Sequence, residues 1–236
     1  MTNIPPNIQS LKRLAWKPIT IDGDGDLTAS KFAGKPWLAK NEQWPKCPHC
    51  QNPLQFFLQL NLNTLPEALK NEFGSGILQM FYCTNEELLC DCDYEGWEPF
   101  SDIHLIRIVQ PEIEAQDVKI PEKQEFFPPK LILDWQYLED YPNYEEAAEL
   151  GVELDFNLDE LFIDNFPIEG DKLAGWPLWV QGIEYPNCPI CGERMRLVFQ
   201  VDSEDNLPFM FGDSGCGHIT QCKHHKNQVA FGWACG

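Results

Sequence analysis

The chain has 236 residues, 43% hydrophobic and 12% aromatic, which is ample for a packed interior and excludes global disorder. Its 17 basic and 37 acidic side chains leave a net charge of −20, which argues against binding nucleic-acid phosphates and suits either solubility or a basic partner. No basic and apolar leader precedes the body and no run approaches the roughly 18 apolar residues of a membrane span, so a cytoplasmic, non-membrane protein is expected.

Residues 1–29 hold Pro5, Pro6 and the run Asp22-Gly23-Asp24-Gly25-Asp26, with a short helix or strand expected around Leu11 to Trp16. An EF-hand loop starting at Asp22 would need Gly at its sixth position and Glu at its twelfth, where this chain has Leu27 and Ala33, so the run is read as a polar turn. A first repeat over 30–110 carries an apolar strand from Leu54 to Leu60, a short helix from Leu65 to Phe73 and strands over 76–83 and 103–109. The segment 111–170 is acidic, with 17 acidic and 3 basic residues, and reads as a connection. Within it lie a strand over 131–137 and a helix over 144–150, capped by Asn143 and Gly151. Residues 154–166 fit a helix or an exposed connection equally, and the junction between halves is placed there. A second repeat over 171–236 holds strands at 195–201, before Cys222, and at 229–234.

The repeats align without a gap at a shift of 141 residues. Lys31, Ala33-Gly34, Pro36, Trp44-Pro45, Cys47-Pro48-His49-Cys50 and Gln59 recur as Lys172, Ala174-Gly175, Pro177, Tyr185-Pro186, Cys188-Pro189-Ile190-Cys191 and Gln200. A shift of 139 then matches Ser75-Gly76 with Ser214-Gly215 and Cys83 with Cys222. The expected architecture is a β-rich α+β fold: one domain over 1–236 built of two pseudo-symmetric antiparallel sheet halves, each with a zinc-ribbon-like knuckle.

Ten cysteines in a reducing space are read as metal ligands or buried thiols; on an exported chain disulfides would be the rival. Each Cys-Pro-x-Cys turn can aim two thiolates at one point, and a second pair from a later hairpin completes a tetrahedral site. The expected ligands are Cys47, Cys50, Cys83 and Cys90 in the first half, with Cys92 the alternative to Cys90. In the second half they are Cys188, Cys191, Cys222 and His225, with Cys235 and then His224 as alternatives. Zinc, one or two ions, is the expected metal, structural because four protein ligands leave no position for water. A thioredoxin-like reading would place the CxxC between strand and helix, whereas a strand-like run follows here.

Gly212-Asp213-Ser214-Gly215 copies the segment around a trypsin-like nucleophile, but its repeat partner is Phe73-Gly74-Ser75-Gly76, so the shared feature is a Ser-Gly turn before a strand. His49, His104, His218, His224 and His225 form no HExxH pattern, and His49 is expected to face solvent. Trp37, Trp44, Trp97, Trp135, Trp176, Trp179 and Trp233 are read chiefly as packing, with a few free to line a groove for a peptide or small ligand.

Through Ser30 to Pro36, Trp44-Pro45, Pro53 to Leu60, Gly76 to Tyr82, Asp140-Tyr141-Pro142 and Gly212 to Gly215, the chain resembles the YwqG-like family, a bacterial family of unknown function. Its cysteine-bearing repeats also resemble the programmed cell death protein 2 family, cysteine-rich proteins implicated as chaperones of a ribosomal protein. That likeness implies a mainly β, zinc-supported protein-binding scaffold and, as one form of it, an acidic escort for a basic client. The expected function is therefore a non-enzymatic, zinc-stabilised interaction protein, of chaperone-like or immunity type. A hydrolase or thiol-dependent enzyme with its site between the halves, or a small-ligand sensor, is the alternative.

Overall fold

The computed structural model describes residues 4–236 apart from 86, 88, 112–114, 116–118, 122–125 and 156–158. Ten strands carry the fold: β1 (Arg13–Asp22), β2 (Lys31–Phe32), β3 (Gln55–Asn61), β4 (Ile77–Tyr82), β5 (His104–Val109), β6 (Lys130–Asp140), β7 (Lys172–Ala174), β8 (Arg196–Asp202), β9 (Cys216–Gln221) and β10 (Val229–Ala234). Helices among the described residues are short: α1 (Cys90–Asp93), α2 (Tyr144–Glu149) and α3 (Glu160–Ile163). The protein is thus mostly β, where an α+β fold was expected. The helix expected over 65–73 is only a 3-10 turn, Glu67–Leu69. Asn71 adopts φ 61° two residues later, a left-handed conformation that cannot continue a helix. By contrast α2 forms where expected, with the Asn143 side chain accepting from Glu146 N at 2.8 Å. The ambiguous stretch contains α3, and its residues 156–158 lie outside the described residues.

The two expected sheets are one. All ten strands form a single antiparallel sheet in the order β10-β9-β8-β7-β1-β6-β2-β3-β4-β5. The sheet curls into a nearly closed barrel: at its seam Phe231 N and Trp233 N of β10 donate to Pro99 O and Trp97 O, just before β5. The order explains why separate halves do not arise. β1, which leads the first half, pairs with β7 of the second, while β6 pairs with β2 of the first, and β1 and β6 pair along their whole length. The leading strands are exchanged across a pseudo-twofold axis between them.

The duplication read from the sequence reappears in the hydrogen-bond register. Lys31 opposes Gln59 as Lys172 opposes Gln200, and Gln59 opposes Gln79 as Gln200 opposes His218. Both β3/β4 and β8/β9 slip register at the same place, between Phe56 and Leu58 and between Leu197 and Phe199.

The main core fills the barrel with Phe32, Phe57, Phe81, Phe199, Phe211 and Phe231, all fully buried. Burying such a ring contributes about 1.5–3 kcal/mol. Tyr82 joins the halves, since its hydroxyl accepts from Trp233 Nε1 at 2.8 Å and donates to Asp91. A smaller core of Ile8, Tyr141, Ala147 and Phe162 seats α2 and α3 on one side.

Candidate metal centres and an aromatic cleft

Each knuckle is built by the chain entering a long strand. In the first, Cys47 N donates to Asn52 O and Gln51 N to Cys47 O; in the second, Cys188 N donates to Glu193 O and Gly192 N to Cys188 O. The residue after the second cysteine, Gln51 or Gly192, has a positive φ of 60° or 73°, which turns the chain back into its strand. Cys83 and Cys222 follow β4 and β9 directly, which places them against the knuckles.

The structure brings together Cys47, Cys50, Cys83 and Cys90 in one group and Cys188, Cys191, Cys222 and His225 in another, the donor atoms within each lying within 4.8 Å of one another. Cys50 Sγ is 3.7 Å from Cys83 Sγ, and Cys191 Sγ is 3.7 Å from Cys222 Sγ. His225 Nδ1 lies 3.6 Å from Cys222 Sγ and 3.7 Å from Cys188 Sγ. Backbone amides support the second group: Ile190 N donates to Cys188 Sγ at 3.4 Å and His225 N to Cys222 Sγ at 3.3 Å. Each group could hold a metal ion.

Of the alternatives left open, Cys92 is exposed and stands outside the first group. His224 Nε2 pairs with Glu193 at 3.0 Å, and Cys235 lies beside Gly212, away from the second group. Thiol acidity is uneven in the first group. Burial pushes the Cys83 thiol up, whereas at Cys50 hydrogen bonds from Asn85 and Asn52 outweigh desolvation and bring it down to about 7. His49 is exposed as expected, stacked on Tyr94 with ring centres 3.3 Å apart and paired with Asp102 at 2.7 Å.

A second repeated feature carries no chemistry of its own but explains most of the shared residues. Lys31 and Lys172 are fully buried and pair with Asp24 at 2.7 Å and Asp140 at 2.9 Å, each carboxylate lying at or just beyond the end of a leading strand. The same carboxylates accept from Lys35 N and from Trp176 N, positions 141 apart. For that amide to arrive, the chain passes through Ala33-Gly34 and Ala174-Gly175, all four at positive φ. A Cβ on Gly34 would stand 2.5 Å from Asp24 Oδ1, and one on Gly175 2.4 Å from Asp140 Oδ2, so glycine is required at both. Gln59 and Gln200 complete the cradles, their carbonyls accepting from Trp37 N and Leu178 N and their amides donating to two backbone carbonyls each. The aspartate run expected to be a polar turn thus also supplies the ion-pair partner of a buried lysine.

A cleft of about 560 Å³ opens at the barrel seam. Trp97, Trp179, Tyr185 and Trp233 line it, with Glu98 and Glu184. Glu146, only 3% exposed, fixes two of the rings by accepting from Tyr185 OH at 2.6 Å and Trp179 Nε1 at 3.2 Å. His218 packs on Trp179, with ring centres 4.6 Å apart. Burial, aided by the Lys172 charge, holds its imidazole down at about 3, so it is neutral. Some of the tryptophans expected to be free for a groove therefore do line one, while Trp44 and Trp135 pack against the core. Ser214 sits exposed in the turn before β9, which is the place of Ser75 before β4.

No helix among the described residues is long and apolar enough to cross a membrane. No curated protein matches the chain. A family model does, over residues 30–234, a span that contains both cysteine groups and all strands but β1, and the chain therefore belongs to the DUF1963 family, a domain of unknown function.

Proposed function

We propose that this chain is a non-enzymatic, zinc-stabilised interaction protein whose partner is a basic protein. The observation that carries the reading is the completeness of both cysteine groups: each supplies four donors, so a tetrahedral ion in either would be saturated by protein and have no position for substrate. Zinc suits the distances. Zn–S bonds of about 2.3 Å at tetrahedral angles place sulfurs about 3.8 Å apart, and one sulfur pair in each group is 3.7 Å apart. Thiolate-rich sets with one imidazole also favour zinc over hard cations. A thiol enzyme has less support. Cys216, the buried thiol outside the groups, is pushed well up by burial and lies 3.7 Å from a histidine that is itself held neutral.

The charge supports a basic partner, since 14 of the 20 excess negative charges fall within 111–170. The likeness of the repeats to the programmed cell death protein 2 family is in keeping with a binding scaffold. Metal analysis of purified protein is expected to give two zinc ions per chain, with Cys47→Ser and Cys188→Ser each retaining one. In a native lysate, a basic partner is expected to be captured at low salt and released as ionic strength rises. Absence of stoichiometric metal would remove the scaffold; turnover of a small substrate with no partner at any salt would remove the binding role.

A further inference from the structure

The floor of the seam cleft corresponds by register to a place in the first half that an arginine occupies. In the first half Arg107 of β5 opposes Gln79 of β4, and its guanidinium donates to Gln79 Oε1 at 2.9 Å and to Glu42 Oε1 at 2.5 Å while lying over Phe81, 5.8 Å from the ring centre. By register and repeat offset the matching residues in the second half are Gly232 for Arg107, His218 for Gln79, Thr220 for Phe81 and Tyr185 for Trp44. The chain fills the first position with its own guanidinium and leaves the second without one.

What surrounds the second position suits a cation. Three indoles and a phenol present faces and edges there, and aromatic faces attract guanidinium and ammonium groups. Trp97 and Trp233 stand edge to face, 6.4 Å apart at 88°. Glu98 and Glu184 lie at the cleft, and among the described residues neither has an ion-pair partner. Burial and then the charge of Glu98 push the Glu184 carboxyl up, as uncompensated negative charge does. Thr220, 2% exposed, lines the cleft and its Oγ1 has no hydrogen-bond partner among the described residues. His218, neutral in this setting, does not repel a cation.

We propose that the seam cleft binds a guanidinium-type organic cation at the place Arg107 occupies in the first half. The source is either an arginine side chain of a polypeptide or a free small molecule. The proposal rests on the reading of the chain as a binding protein, and its failure is separable from failure of that reading, because metal content and partner capture are measured without the cleft ligand.

The test is titration of the full chain, followed by tryptophan fluorescence and calorimetry, with agmatine, with acetyl-Gly-Arg-Gly-amide and with the same peptide carrying citrulline. Saturable binding of a guanidinium probe is expected, at least tenfold weaker for the neutral citrulline peptide and about tenfold weaker for the Glu98→Gln/Glu184→Gln variant. Both glutamates are exposed, so that variant keeps the fold; an unchanged thermal transition verifies it. Tighter binding of the peptide assigns the site to arginine side chains, and tighter binding of agmatine to a small molecule. Equal binding of arginine and citrulline peptides, no saturable binding by any probe, or indifference to the double substitution would overturn the proposal.

Discussion

At the scale of single residues, the most consequential groups are the buried ions. Asp140 accepts from Lys172 Nζ and also from the amides of Tyr141, Ile168 and Trp176. Asp140→Ala strands a buried ammonium and is expected to cost about 3–5 kcal/mol in urea denaturation. Lys172→Met is expected to cost clearly less, because the carboxylate keeps its three amides. Buried histidines set a pH dependence. Burial lowers His104 to about 4 and His218 to about 3 from the ordinary 6.5 of a histidine. Between those values the unfolded chain binds more protons than the folded one, so stability is lost as pH falls below 6.5. His104→Gln should flatten that acid limb, which thermal melts across pH 4–7 would read. Asp171 works in the opposite sense: burial and then Asp205 raise it to about 7 from 3.8, so its contribution fades as pH rises through that window. Asp205→Asn should weaken this opposing trend.

At the scale of elements, the turns between paired strands are set by close approach. Gly175 at φ 82° faces Asp140 Oδ2 and Ala15 Cβ, whereas Gly151 at φ 80° faces open space. Gly151→Ala is expected to cost about 1–2 kcal/mol, the intrinsic penalty of a left-handed residue. Gly175→Ala should cost distinctly more, and the difference measured by chemical denaturation isolates the contact with the carboxylate. Much of this was legible in the sequence. The 141-residue offset pairs Lys31 with Lys172, Gly34 with Gly175 and Gln59 with Gln200, and that alignment alone marks all six as shared structure. Their acidic partners were not legible in the same way. Asp24 and Asp140 come from leading strands whose spacing to the repeats differs, 7 residues before Lys31 and 32 before Lys172. The knuckle cysteines were readable because spacing constrains local turns, but that Cys90 rather than Cys92 joins their group depends on how α1 folds against β4. Strands β3 to β6 and β8 to β10 were readable from their apolar runs, whereas the two- and three-residue strands β2 and β7 were not; the helix expected over 65–73 fails because Asn71 takes a backbone conformation that composition does not announce.

At the scale of the whole molecule, strand exchange was beyond the reach of a single sequence. Periodicity shows where a strand lies but not its neighbour, and the halves look separable until β1 is seen beside β7. Because each leading strand completes the other half's sheet, disruption of either cysteine group should weaken the entire molecule. Cys47→Ser and Cys188→Ser are each expected to show one cooperative thermal transition at lower temperature, with no independent stable half. Cutting the chain into 1–110 and 111–236 gives a sharper check: each fragment alone should lack cooperative unfolding by circular dichroism, and mixing should restore it.

The exchange of β1 and β6 bears on ancestry. A unit holding one leading strand and one cysteine-bearing repeat presents β2 or β7 with an unfilled edge, and only a second unit can supply the missing neighbour. The smallest complete form of this architecture is therefore a pair. A founder with a single repeat would have met that need as a homodimer with reciprocal arms.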